Sequence, residues 1–156
     1  MANKKTIIHE FDPCVYPRLL WVVKGGELED IKDMFDFDLP DDEERGAVTI
    51  PVRRKVDSRL GYCVWFPKAS DIRNLDWIAH ESTHVALCVF NDIGGVISYE
   101  GQETFAYLVG WVFGCIDTVR KFKEVNYGCD KGESEDRQEG EPQTPCEEAQ
   151  ENRWWR

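Results

Sequence analysis

A chain of 156 residues can build one domain with its own core but is short for two. Its 30 acidic against 19 basic residues leave a formal net charge of −11, which argues against nucleic acid as a partner because phosphate binding needs a basic stripe. The first residues reach His9 and Glu10 too soon after Ile7 and Ile8 to hold the apolar core of a signal peptide. The six cysteines, Cys14, Cys63, Cys88, Cys115, Cys129 and Cys146, form no CxxC pair, so a reducing cytoplasm is the expected setting.

In chain order, residues 18–23 (RLLWVV) suit a buried strand that ends at Gly25 and Gly26. Leu28, Ile31 and Phe35 then recur at helical spacing, and Pro40 begins an acidic loop. Residues 47–55 form a second predicted strand, which Pro51 pushes toward a sheet edge because it has no N–H to donate. The basic run Arg53, Arg54 and Lys55 fits a solvated edge, with attraction of an acidic peptide as a second use. A third predicted strand, residues 60–66 (LGYCVWF), leads into the next loop.

Residues 75–90 contain no Gly or Pro, and Leu75, Ile78, Ser82, Val85 and Val89 mark the inner face of a helix. Ser70 or Asn74 can cap its start, and Gly94 with Gly95 can supply the left-handed residue after its end. Within it runs His80-Glu81-Ser82-Thr83-His84, an HExxH pattern. Residues four apart share a helix face, so His80 and His84 can ligate one metal ion, while Glu81 can reach a water on that ion as general base. The bland alternative is a partly buried polar pair, but an unliganded carboxylate buried beside it would cost several kcal/mol.

Hydrolytic zinc takes three protein ligands and keeps a fourth position for water. Two carboxylates follow, Glu100 and Glu103, either side of Gly101, which fits the start of a helix better than its interior. A first-turn carboxylate is also favoured simply by the helix dipole. Glu103 is preferred, since it lies on a regular element and Ala106, Gly110 and Gly114 follow as a small-residue strip that would let the two helices approach closely. The apolar stretch 105–116 is too short to cross a membrane and reads as a buried helix. Cys88 and Cys115, in apolar helical runs, read as core thiols. Beyond residue 128 the composition changes: residues 129–156 hold nine acidic and four basic residues, a net −5 that leaves −6 on the rest, and almost no aliphatic side chains. A domain over 1–128 followed by an acidic disordered tail, with Trp154 and Trp155 near its end, is the expected organisation.

HExxH followed by a helix that opens with an ExxA glutamate, here Glu103 to Ala106, resembles the gluzincin metallopeptidases of the thermolysin-like clan. In layout the chain resembles the minigluzincins and small peptidases of phage and other mobile elements. The resemblance covers about residues 46 to 120 and is specific at His80, Glu81, His84 and Glu103. It implies one Zn²⁺, a peptide or protein substrate, and an edge strand near the zinc helix that pairs with extended substrate. By position that strand is Tyr62, Cys63, Val64 and Trp65, although a core strand fits equally. The chain departs from the larger members by carrying Tyr107 where they place an Asp that orients the first histidine, and by having no His after His84. Tyr107 or Tyr99 can donate to an oxyanion instead.

These residues predict an α+β domain in which a small, mainly antiparallel sheet packs against the HExxH helix and the glutamate-bearing helix after it. The expected function is zinc-dependent peptide hydrolysis in the cytoplasm. Two alternatives stay open: a zinc-stabilised adaptor without catalysis, and a regulatory protease specific for one partner such as a repressor.

Overall fold

A computed structural model describes residues 6–38 and 46–122. Along the chain these form β1 (Ile7–Phe11), β2 (Leu19–Lys24), α1 (Leu28–Met34), β3 (Phe35–Asp36), β4 (Val48–Arg54), β5 (Leu60–Phe66), a 3₁₀ turn (Asp71–Arg73), α2 (Leu75–Asp92) and α3 (Gln102–Lys121). The acidic segment from 129 onward, with Cys129, Cys146, Trp154 and Trp155, lies outside the described residues.

The five strands make one sheet in the order β1-β2-β5-β4-β3. Only β2 and β5 run parallel, from Leu19 opposite Gly61 to Lys24 opposite Phe66; the other neighbours are antiparallel. The fold is therefore α+β with a mixed, mainly antiparallel sheet. Both central strands are continuous apolar runs because both of their faces are covered by helices. On one face Leu20, Val22, Tyr62, Val64 and Phe66 meet Ile78, Val85, Val89, Leu108, Val112 and Ile116 of α2 and α3. On the other, Leu19, Trp21, Val23, Cys63 and Trp65 meet Ile31 of α1 and Phe35. Gly61 is required where β5 passes β2, since a Cβ there would stand 2.1 Å from the Leu19 carbonyl oxygen.

The predicted strands at 18–23, 47–55 and 60–66 correspond to β2, β4 and β5 within a residue at each end. The short β1 lacks a predicted counterpart: its residues alternate between half-buried and exposed, and His9 and Glu10 dilute its apolar signal. Phe35, which continues the helical spacing of Leu28 and Ile31, instead leaves the helix with extended φ and ψ and opens β3. There its ring tilts against Trp21 at 5.0 Å, so burial in the sheet wins over one more helical residue.

Both ends of α2 are closed by local chemistry. The Asn74 side chain accepts from the Asp76 N–H at 3.0 Å. At the far end Gly94, at φ 68°, lets the Gly95 N–H reach the Phe90 carbonyl at 2.7 Å, a Schellman closure.

Candidate active site

The inner face of α2 is set by Ile78, Ser82, Val85 and Val89, all buried against the sheet and α3. Helical geometry then sends His80 and His84, four residues apart, to the exposed side. Their Nε2 atoms approach to 2.9 Å and the rings meet edge to face at 4.5 Å. At that distance one ring can donate to the other, or both lone pairs can face one cation. Two nitrogens on a tetrahedral zinc, each about 2.0–2.1 Å from it, would stand about 3.3 Å apart, so a small opening of the pair accommodates the ion. The pair therefore fits as two of zinc's ligands.

Glu81 lies a sixth-turn or more round from the histidines and points elsewhere. Its side chain turns toward β4, only 5 % of the residue is exposed, and Oε2 accepts from the Thr49 hydroxyl at 2.6 Å. The two residues between Glu81 and His84 satisfy themselves: Ser82 donates to the Ile78 carbonyl at 2.6 Å and Thr83 to that of Ala79 at 2.9 Å. Nothing in the segment competes with Glu81 for its partner.

The expected third ligand is not brought to the pair. Glu103 lies exposed in the first turn of α3 and Glu100 exposed just before it. Among the described residues no group of three or more His, Cys, Asp and Glu side chains comes together as a metal site. The reason lies in how α3 packs. Its buried face is Leu108, Val112, Cys115, Ile116 and Val119, and burying these large side chains removes far more apolar surface than seating glycines would. That face turns Ala106, Gly110 and Gly114 outward, and a Cβ added at Gly110 or Gly114 would meet nothing within 4 Å. The small-residue strip thus does not mediate the approach of the two helices, contrary to expectation. Tyr99 and Tyr107, the candidate donors, are 90 % and 64 % exposed.

The expected substrate strand also requires correction. Tyr62, Cys63 and Val64 lie on β5, in the middle of the sheet, where β2 and β4 take up the backbone on both sides. Their side chains belong to the two cores. The Tyr62 hydroxyl donates to Asp92 Oδ2 at 2.6 Å, and Arg18 Nε donates to the same oxygen at 2.7 Å. Burial, and then the Asp92 carboxylate, raise the Tyr62 hydroxyl well above the usual tyrosine range. Burial alone pushes the Cys63 thiol up to about 12, which makes it inert.

The strand beside Glu81 is β4. It is fourth in the sheet order, one strand in from the β3 edge, but that outer neighbour pairs only with Arg53 and Arg54. Among the described residues, 48–51 therefore have no strand on their outer side. Pro51 occupies this open stretch, which agrees with the edge position its missing donor predicts. Farther along the same edge a groove of about 730 Å³ is lined by Phe37, Pro51, Arg53, Tyr62 and Asp92, among others; it does not include His80, Glu81 or His84. Thr49 was not singled out by sequence reasoning. Alternation puts it on the same face as Pro51 and Arg53, but which face meets the HExxH helix is decided by the fold.

Comparisons with protein-family models, curated proteins and solved structures find no match to this chain. No described helix is long and apolar enough to cross a membrane.

Proposed function

We propose that this chain is a zinc-dependent peptidase of the minimal gluzincin type, working in the cytoplasm. One observation carries the reading: the HExxH segment sends two histidines outward as a converging pair and its glutamate inward, against β4, whose residues 48–51 have no outer strand among the described residues. His80 and His84 would supply two ligands. Glu103 would supply the third, since its exposed carboxylate makes no hydrogen bond or ion pair among the described residues and is at liberty to turn. Bound zinc acts as a Lewis acid and brings the pKa of a water toward neutrality.

The chain's own groups account for the remaining work. Glu81 accepts the proton of the attacking water and hands it to the leaving amine, a general base and then a general acid at one carboxylate. Residues 48–51 would hold an extended peptide by backbone pairing, which takes over the role first expected of β5. Tyr107, or Tyr99, would donate to the oxygen that becomes negative at the tetrahedral stage. Four described cysteines without disulfides, Cys14, Cys63, Cys88 and Cys115, agree with a reducing compartment.

The test is zinc analysis of the purified protein together with cleavage of a broad peptide library, with and without a chelator, for the parent and Glu81→Gln. Glu81→Gln should keep its zinc and lose kcat by about 10³-fold or more, the upper range of proton-transfer contributions. A variant that cleaves as fast as the parent removes the mechanism. The exposed position of Glu103 also suits a zinc-stabilised adaptor without catalysis, and a parent that binds zinc but cleaves nothing would establish that reading.

A further inference from the structure

The Glu81 carboxylate touches one side chain from another element, and that contact has the form of a rigid bracket. Thr49 comes from β4, 32 positions away in sequence, and its hydroxyl sits 2.6 Å from Glu81 Oε2 and 3.5 Å from the Glu81 carbonyl oxygen. A hydroxyl has one proton to give, and the shorter contact takes it. Threonine is β-branched, so on a strand its χ1 is restricted and the donor is held in place before the bond forms. The helix–strand register around this bond is fixed by a second contact. Gly46, two residues before β4, lies so close under the Trp77 ring that a Cβ there would stand 2.0 Å from it, and Trp77 is one turn of α2 ahead of Glu81. Among the described residues no buried side-chain oxygen lacks a partner. Glu81 Oε1 accepts from no described donor and is therefore not wholly buried, although the residue is only 5 % exposed, while Oε2 is tied.

Resting on the peptidase reading, we propose that Thr49 is the positioning residue of the general base: it anchors Oε2 so that Oε1 is the oxygen that takes and returns the proton. The same strand that would pair with the peptide thereby fixes the orientation of the base. A substrate seated along residues 48–51 and the proton acceptor are then held by one rigid element, with no loop between them. The Thr49 hydroxyl touches neither substrate nor metal, and its effect on the base passes entirely through Glu81.

The test compares Thr49→Val, which keeps the shape and removes the hydroxyl, with Thr49→Ser, which restores it. Both are made in the full chain, loaded with zinc and assayed on a peptide that the parent cleaves. Thr49→Val should lower kcat by about 10–100-fold, the scale on which a displaced catalytic group loses rate, with KM within about twofold and zinc content unchanged. Thr49→Ser should recover most of that loss. A second measurement needs neither zinc nor activity: three-bond couplings at the Glu81 Cβ in metal-free protein should report one χ1 rotamer in the parent and in Thr49→Ser, and averaging in Thr49→Val. A parental kcat in Thr49→Val overturns the proposal, as does equal loss in both variants or a single Glu81 rotamer in all three proteins. A parent that cleaves no peptide with zinc bound is a different failure. It overturns the peptidase reading and, with it, the catalytic purpose of the contact.

Discussion

Between His80 and His84 every inward side chain of α2 is buried or hydrogen-bonded, whereas from Tyr99 to Glu103, where α3 begins, every residue is exposed. Both regions were expected to supply parts of one metal site. The first is organised by a face of large apolar residues that leaves its histidines a single direction in which to point. The second has no such face, because the buried stripe of α3 starts only at Leu108. A functional residue is therefore placed firmly where an apolar stripe runs directly beneath it, and only loosely where the helix has not yet reached its packing partner.

Replacing Ile78, which is fully buried beneath His80 and Glu81, should test the firm side of this contrast. Ile78→Ala should lower unfolding free energy by about 2–5 kcal/mol in urea denaturation. A loss under about 1 kcal/mol would show that α2 is not held by its inner face.

On the loose side, Glu103→Ala and Glu100→Ala can be compared by competitive zinc titration. Loss of a real ligand should weaken zinc by at least about 10-fold, and Glu103→Ala is expected to do so while Glu100→Ala leaves affinity within about twofold. The reverse order would move the third ligand to the loop side of Gly101.

The smallest effect concerns the outer face of α3. Gly110 is exposed and a Cβ there meets nothing, so Gly110→Ala should be neutral or stabilise by up to about 1 kcal/mol through helix propensity. Destabilisation would mean that the small-residue strip does pack against a neighbour.

Periodicity in the chain made α2, its Asn74 cap and its Gly94 terminator legible, because each depends on residues within a few positions of one another. The same holds for β2, β4 and β5 and for the open-edge signal of Pro51. Of the two roles the sequence leaves open for β5, substrate edge or core strand, the sheet order selects the core strand: nearness in sequence to the HExxH helix is not nearness of an open edge in space. Its all-apolar pattern, buried from Gly61 to Phe66, was the signal of a central strand with both faces covered. Thr49 was out of reach because nothing local distinguishes it from any other threonine on a half-buried strand.

The sequence alone determined that His80 and His84 share one helix face, that Glu81 lies between them on another, and that the domain is α+β, since these follow from a 3.6-residue repeat and a two-residue alternation. Tertiary structure decided which strand stands beside Glu81, which oxygen of that carboxylate is tied, and which way the helix bearing Glu103 turns. Those outcomes depend on how sheet order and competing apolar faces resolve over the whole chain, and residues as far apart as Thr49 and Glu81 meet only once that has happened.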